Sequence, residues 1–210
     1  MNRKFLTAAV ACGAVLLGTA GISGSAVASA NYGGTHTVHA RLNTLNNSGV
    51  TGNATVKVQG KKINVYYVAN GLAKKLPHAA HIHYGAEARH ECPTVRDDKN
   101  RDFRLNVAEG VPEYGPIAVS LTVRGDTSPA SALAVDRFST APKGKINYHR
   151  VITTSSAVSR AISRGEGVVV IHGVDYNHNG KYDFAGAGKS ELNPKLPAEA
   201  TDPAVCGVLR

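Results

Sequence analysis

The chain has 210 residues, a formal net charge of +9 and no Trp. Its Lys and Arg residues are scattered, so they predict a solubilising surface that can attract small anions, acidic glycans or an anionic envelope, and no nucleic-acid partner is predicted. There is no Ser-His-Asp order, phosphate-binding glycine loop or C-x-x-C pair, which argues against hydrolases and nucleotide-dependent enzymes. The sequence leaves the oligomeric state open.

The N-terminus has the pattern of a secretory signal peptide. Two basic residues precede an apolar run over residues 5–22, and Ala28-Ser29-Ala30 provides small residues at a cleavage site. We therefore predict a signal peptide over residues 1–30 and a secreted, extracellular domain over residues 31–210. Weaker alternatives are a retained membrane anchor and a lipoprotein site at Cys12. No later span is long and apolar enough to cross a bilayer.

The rest of the chain has the pattern of a mostly β protein, with strand-like runs separated by turns rich in Gly, Asn and Ser. Predicted strands cover residues 35–42, 54–58, 63–68, 80–84, 117–123, 145–152 and 168–172, and a short apolar segment covers 204–209. Residues 156–164 predict a short helix, and two long polar loops are predicted over residues 85–116 and 175–203. This pattern predicts an all-β fold, an antiparallel β-sandwich or β-barrel with two long loops.

Two histidines on one predicted strand form the strongest candidate site. His81 and His83 stand two residues apart, so in an extended strand their side chains share a face. A third histidine, His172, ends the apolar run over residues 168–171. Three imidazoles in one place suit copper or zinc, and copper(II) binds most tightly among the first-row divalent ions. The alternative is that these histidines are structural and hydrogen-bond to backbone carbonyls.

Two cysteines remain after removal of the predicted signal peptide, Cys92 and Cys206. Because exported compartments are oxidising, we predict a disulfide between them, with two free thiols as the alternative. Closing so long a loop would contribute about 4 kcal/mol on the chain-entropy model.

Several segments, in the same order, resemble the copper–zinc superoxide dismutase family. They are Gly71-Leu72, Pro77-His78-x-x-His81-x-His83, Cys92 nine residues after His83, Val168–His172, and Cys206-Gly207-Val208. The resemblance spans residues 60–210 and implies a Greek-key β-barrel with a copper site on its outer wall beneath two long loops. It also implies that His81, His83 and His172 are copper ligands and that His78 is structural.

The chain also departs from that family in ways that bear on activity. No histidine occurs between Glu91 and Tyr148, where the family has its bridging histidine and further zinc ligands. We therefore expect no family-type zinc site, because the carboxylates of this loop alone make a poor zinc site. Those carboxylates are Asp97, Asp98 and Asp102.

The family's arginine that guides superoxide is also missing. Pro203 stands at its position, three residues before Cys206, and nothing in the spacing favours Arg89, Lys189 or Arg210 as a replacement. The family's bridging imidazole helps to deliver protons to the peroxide, and it is missing as well. We therefore expect dismutase activity that is weak or absent.

Residues 175–183 form a second candidate ion site. Oxygen-bearing side chains match positions 1, 3, 5 and 9 of an EF-hand-like calcium loop: Asp175, Asn177, Asn179 and Asp183. The acid expected at position 12 is absent because Gly186 stands there, and Glu191 or Asp202 are candidates to replace it. An Asn/Asp/Gly-rich turn without an ion is the alternative.

The sequence supports two hypotheses of different classes. The first is a secreted superoxide-dismutase-like protein that binds copper through its three candidate histidines. The second is a non-catalytic secreted or envelope-associated β-sandwich module with structural histidines, stabilised by a disulfide and by calcium. The copper content of the purified protein separates the two.

Overall fold

The computed structural model describes residues 34–210, so the predicted signal peptide over residues 1–30 lies outside the described residues. This part of the chain contains the strands β1 (His36–Thr44), β2 (Thr51–Gln59), β3 (Lys62–Asn70), β4 (Ala80–His83), β5 (Ile117–Ser120), β6 (Lys145–Thr153), β7 (Val168–His172) and β8 (Pro203–Val208). Its α-helices are α1 (Val107–Tyr114), α2 (Ser156–Ser163), α3 (Phe184–Ala187) and α4 (Ala198–Thr201). Among the described residues, no helix is both long enough and apolar enough to cross a membrane.

The eight strands form one antiparallel sheet in the order β5-β4-β7-β8-β1-β2-β3-β6. β1 joins its two halves, because it pairs along most of its length with β2 but only through Asn43 and Thr44 with β8. The sheet curls into a half-barrel around one apolar core. Near the free edges, the Tyr148 hydroxyl and the Arg150 guanidinium of β6 donate to the Thr122 carbonyl at 3.0 and 2.7 Å. The prediction of an all-β, antiparallel barrel or sandwich is confirmed.

The two halves of the sheet bury their strands differently. In β1, β2, β3 and β6, buried side chains alternate with more exposed ones, because only one face of these strands covers the core. β4 and β7 are buried at every position. Val169 and Ile171 of β7 face the barrel core, while Val168 and Val170 pack with Tyr114 on the other side. Burial on both faces explains why β7 is an unbroken apolar run.

The first predicted long loop contains a helix, so the prediction of a continuous loop over residues 85–116 is wrong. α1 begins after Asn106, whose side chain accepts from the Glu109 amide while Glu109 accepts from the Asn106 amide. This capping box is visible in the sequence, but the Gly and Pro residues around it favour a loop. Tyr114, at the end of α1, is fully buried, and its packing supplies the stability that local sequence does not.

A disulfide joins Cys92 to Cys206, as predicted from the sequence. It links residues 114 positions apart and attaches the first long loop to β8. Cys206 is buried in the cluster that contains Tyr114 and Val168. The disulfide therefore holds the first long loop against the outer face of the half-barrel.

Candidate metal centre

The three predicted histidines meet on the outer face of the half-barrel. Ile82 of β4 faces the apolar core, so its neighbours His81 and His83 point away from the core. His172 ends β7, which pairs with β4, and its amide donates to the Ala79 carbonyl at 2.8 Å. Two hydrogen-bonded strands therefore hold all three side chains in place.

Each imidazole donates one ring N–H to a backbone carbonyl. His81 Nε2 lies 3.2 Å from the Ala132 oxygen, His83 Nδ1 lies 2.8 Å from the Gly115 oxygen, and His172 Nδ1 lies 2.6 Å from the Thr201 oxygen. Because a carbonyl oxygen only accepts, these nitrogens carry the protons and the tautomer of each ring is determined. The second nitrogen of each ring keeps its lone pair.

The nitrogens that keep these lone pairs are buried in one group of side chains. They are His81 Nδ1, His83 Nε2 and His172 Nε2, which have no hydrogen-bond partner. One ligand atom from each of these side chains lies within 4.8 Å of the other two, a spacing reached by no other His, Cys, Asp or Glu group of three within residues 34–210. Imidazole nitrogens bind a metal ion at about 2.0 to 2.1 Å, so three ligand atoms this close together make the group a candidate site for one ion.

Burial keeps the three imidazoles neutral. Desolvation lowers the pKa of His172 to about 4, and desolvation together with the nearby His172 ring lowers the pKa of His83 to about 3. The pKa of His81 is also well below its usual value, because of burial and then of the other two rings. At neutral pH the rings are therefore unprotonated, the form that binds a metal ion.

The segment between β5 and β6 covers the histidines from one side. It supplies the Ala132 carbonyl and the ring of Phe138, which packs edge-on against His81 with ring centroids 5.4 Å apart. From α1, the Tyr114 ring lies 4.4 Å from the His83 ring. The three histidines are only 2, 0 and 3% exposed, so the site is enclosed. Sequence reasoning missed this cover because residues 129–138 carry no motif and act through packing and one carbonyl.

His78 lies outside this group. Its Nδ1 is 2.9 Å from the His172 carbonyl oxygen, and its Nε2 is 3.1 Å from the Ala73 carbonyl oxygen. Burial lowers its pKa. These contacts tie the segment before β4 to the end of β7.

Asp202 anchors both long loops behind His172. Its Oδ2 accepts from the Arg104 guanidinium and from the Tyr176 hydroxyl, both at 2.9 Å, and its Oδ1 is buried without a partner. Burial raises the pKa of Asp202 to about 7. The neighbouring Thr201 supplies the carbonyl that orients His172, so this network supports the site without reaching the three lone pairs. No sequence spacing links Arg104 to Asp202, and only the fold brings them together.

The predicted calcium loop is a turn whose carboxylates accept from nearby amides. Asp175 accepts from the backbone amides of Asn179 and Gly180 at 3.1 and 2.9 Å. Asp183 accepts from the side-chain amide of Asn179 at 2.7 Å and from the backbone amide of Ala185 at 2.8 Å. The candidate oxygens therefore lie in one turn, and calcium binding there stays a prediction.

Glu199 binds the backbone of this loop. Its carboxylate is fully buried and accepts from the backbone amides of Tyr176 and Asp183 at 3.0 and 2.8 Å. Glu191 instead accepts from the first amide of α1 at 2.8 Å, and Asp202 belongs to the network described above. That one of these two acids replaces the missing position 12 stays a prediction.

The same pattern of hydrogen bonds occurs in the first long loop. Asp98 accepts from the backbone amides of Asp102 and Phe103 at 3.2 and 2.9 Å. These donors lie four and five residues after Asp98, the same spacing as the two amide donors to Asp175. Asn100 accepts from the Asp102 amide at 2.9 Å. The Asn100 bond, which spans two residues, is typical of an Asx turn, and the Asp98 bonds hold the following four to five residues in a tight loop. They explain the shape of both loops and do not by themselves indicate an ion.

No family model and no curated protein matches the chain.

Proposed function

We propose that the chain is a secreted superoxide-dismutase-like protein that binds copper through His81, His83 and His172 and has weak or no dismutase activity. One observation carries the proposal: three neighbouring histidines each keep one buried imidazole nitrogen without a hydrogen-bond partner. A buried polar atom without a partner costs about 1–3 kcal/mol, and a bound metal ion would remove that cost at all three atoms.

The hydrogen bonds around the rings support the same proposal. Metal-binding histidines usually donate their second ring N–H to a carbonyl or a carboxylate, which fixes the tautomer and the ring orientation. All three rings do so, through the carbonyls of Ala132, Gly115 and Thr201. A purely structural role explains one hydrogen bond per ring but not why the second nitrogen of all three neighbouring rings is buried without a partner.

The donor set favours copper over the hard cations. The group consists of three neutral imidazoles, whereas calcium and magnesium prefer carboxylate, carbonyl and water oxygens. Imidazole suits copper and zinc, and copper(II) is bound most tightly in the first-row series. When bound, copper supplies one-electron redox chemistry. The protein's own residues hold the ligands in position and keep water away from them.

Two features support weak or absent turnover. The histidines are enclosed by Phe138 and Tyr114, so superoxide reaches the site only if this cover moves. In addition, no fourth His, Cys, Asp or Glu joins the three histidines within the described part of the chain, so no such side chain is in place to deliver a proton. The disulfide supports secretion, because such bonds persist in oxidising compartments.

The test is metal analysis of the purified protein after copper loading. We expect one copper per chain by mass spectrometry and nitrogen hyperfine lines by electron paramagnetic resonance. Both signals should be lost in His83→Ala and in His172→Ala. The matched control is His149→Ala, because His149 is exposed on β6 and lies in a different part of the sheet. A cytochrome c competition assay then measures superoxide turnover.

Two results decide between the competing functions. Copper uptake that is unchanged in both histidine variants contradicts the copper site and favours the non-catalytic β-sandwich module. Stoichiometric copper without turnover supports a copper-binding protein that has no enzymatic role.

A further inference from the structure

One face of the sheet carries no acidic side chain. β1, β2, β3 and β6 lie side by side, and alternate residues point away from the core. We define the outer sheet face as the odd-numbered residues 37–43, 51–59 and 145–153 together with the even-numbered residues 62–70. Its side chains are exposed or half-buried, and none of them is Asp or Glu. Its cations are Arg41, Lys57, Lys62 and Lys145.

The distribution of acids along the sequence explains this face. The first acid of the chain is Glu87, so β1, β2 and β3 come from a stretch without any acid. All 15 Asp and Glu residues lie between Glu87 and Asp202, and none of them falls in a strand. The positive charge is therefore not spread evenly: the loops and helices carry the acids, and this half of the sheet carries only cations.

The cations stand at the two ends of the face. Strand pairing places Asn64 opposite Lys57, so Lys57 and Lys62 share one end, and it places Lys145 opposite Asn70 at the other end. Asn70 lies eight positions after Lys62 on β3, so the two ends of the face are about 26 Å apart at about 3.3 Å per residue. A single small anion cannot contact both ends, whereas an extended chain can.

The middle of the face is a row of polar and aromatic side chains, one from each strand. The strand register aligns His39, Thr55, Tyr66 and His149 across the four strands. The Tyr66 and His149 rings stack with centroids 4.2 Å apart and planes 5° apart, and His39 lies 3.1 Å from the Thr55 hydroxyl. The exposed rings and the hydroxyls of this row offer apolar contact and hydrogen bonds to a polyhydroxylated ligand.

We propose that the outer sheet face binds an extended anionic polysaccharide that lies along the strands, with its acidic groups at the two basic ends. The lack of any acid disfavours a second copy of the same face as the partner, because like charges would meet. Duplex nucleic acid carries one charge per about 1.7 Å of its axis, and this face has no dense row of cations to match it. Charge complementarity and the polar centre therefore point to a glycan.

The test measures binding of the purified protein to polygalacturonate, a polymer of carboxylated sugars, with dextran as the neutral control. The triple variant K57Q/K62Q/K145Q should bind at least tenfold more weakly than the natural chain. The matched control K74Q/K189Q/K195Q removes the same charge from exposed sites outside the face and should change the affinity less than twofold. Tyr66→Ser should weaken binding without changing its salt dependence, because it removes an aromatic ring from the middle of the face and leaves the charges.

Three outcomes would overturn the proposal. The first is absence of binding to polygalacturonate at low salt. The second is equal weakening in both triple variants, which would mean that net charge alone is responsible. The third is tighter binding to duplex DNA than to polygalacturonate in the same buffer, lost in the K57Q/K62Q/K145Q variant, which would assign the face to nucleic acid.

Discussion

The two candidate ion sites differ in how their polar atoms are satisfied. In the histidine group, each ring donates one N–H to a carbonyl and leaves its other nitrogen buried without a partner. In the loop over residues 175–183, Asp175 and Asp183 already accept from amides of the loop itself. Buried polar atoms without a hydrogen-bond partner are therefore a stronger indicator of a ligand than carboxylates in a loop, because this loop keeps its hydrogen bonds without an ion.

Copper binding should produce the largest change in the stability of the fold. A ligand that binds only the folded state at 1,000 times its dissociation constant adds about 4 kcal/mol to the free energy of unfolding. We expect denaturant unfolding to show a gain of this size with copper, no gain in His172→Ala, and a full gain in His149→Ala. If copper stabilises His172→Ala as much as the natural chain, the unpaired nitrogen of His172 does not mark a copper site.

Loss of the disulfide should lower the free energy of unfolding by a similar amount and should weaken copper binding by the three histidines. Replacing Cys92 and Cys206 by Ser together should lower the free energy of unfolding by about 4 kcal/mol, because the closed loop is long. The loop that this bond attaches supplies the Gly115 carbonyl, which orients His83. We therefore also expect weaker copper binding, measured by competition with a chromophoric chelator. Unchanged copper affinity in the double variant would mean that the strands alone orient the ligands.

Acidification should destabilise the metal-free protein through the histidine group. The unfolded chain binds protons at these histidines near pH 6.5, whereas in the folded state the pKa of His83 is about 3 and that of His172 about 4. Stability that is present above about pH 6.5 is therefore lost as the pH falls, by about 1.4 kcal/mol per pH unit for each fully linked histidine. Asp202 has the opposite effect on stability: its pKa is raised to about 7, so protonation of this carboxyl favours the folded state as the pH falls. It is one group against three histidines, so we still expect a net loss of stability.

The measurement is the denaturation midpoint of the metal-free protein between pH 7 and pH 5. His83→Gln should flatten the decline, because the amide does not titrate. A midpoint that is constant or rises on acidification contradicts the buried, neutral state of the three rings.

Calcium should have the smallest effect. If the loop over residues 175–183 binds calcium, a chelator lowers the melting temperature by a few degrees, equivalent to roughly 1 kcal/mol for a domain of this size. Asp175→Ala should abolish the difference between samples with and without chelator. Asp126→Ala is the matched control, because Asp126 also accepts from a nearby backbone amide in an exposed turn. No response to the chelator would reject calcium and leave an Asx turn.

The sequence predicted the sheet better than the loops, and the reason is periodicity. β1, β2, β3 and β6 alternate because one face is solvated, and β7 is continuously apolar because both faces are covered. Such patterns are local and can be read directly. α1 was missed because its capping box lies among Gly and Pro residues, and the packing of Tyr114 outweighs that local preference.

The candidate site divides in the same way. The spacing of His81 and His83 on a strand, the end position of His172 and the oxidising compartment expected for Cys92 and Cys206 were all accessible from the order of residues. The cover by Phe138, the carbonyl partners and the Arg104–Asp202 contact were not. These contacts join residues that are far apart in sequence.

The sequence by itself determined which strands form, which faces they bury and which side chains are available as ligands, since these depend on local alternation and on residue type. The tertiary structure was needed to show that three histidines with partnerless nitrogens come together, that their other ring nitrogens are hydrogen-bonded, and that Glu199 binds the backbone of the second loop. Direction and hydrogen-bond satisfaction depend on how distant segments pack, and no spacing along one chain encodes them.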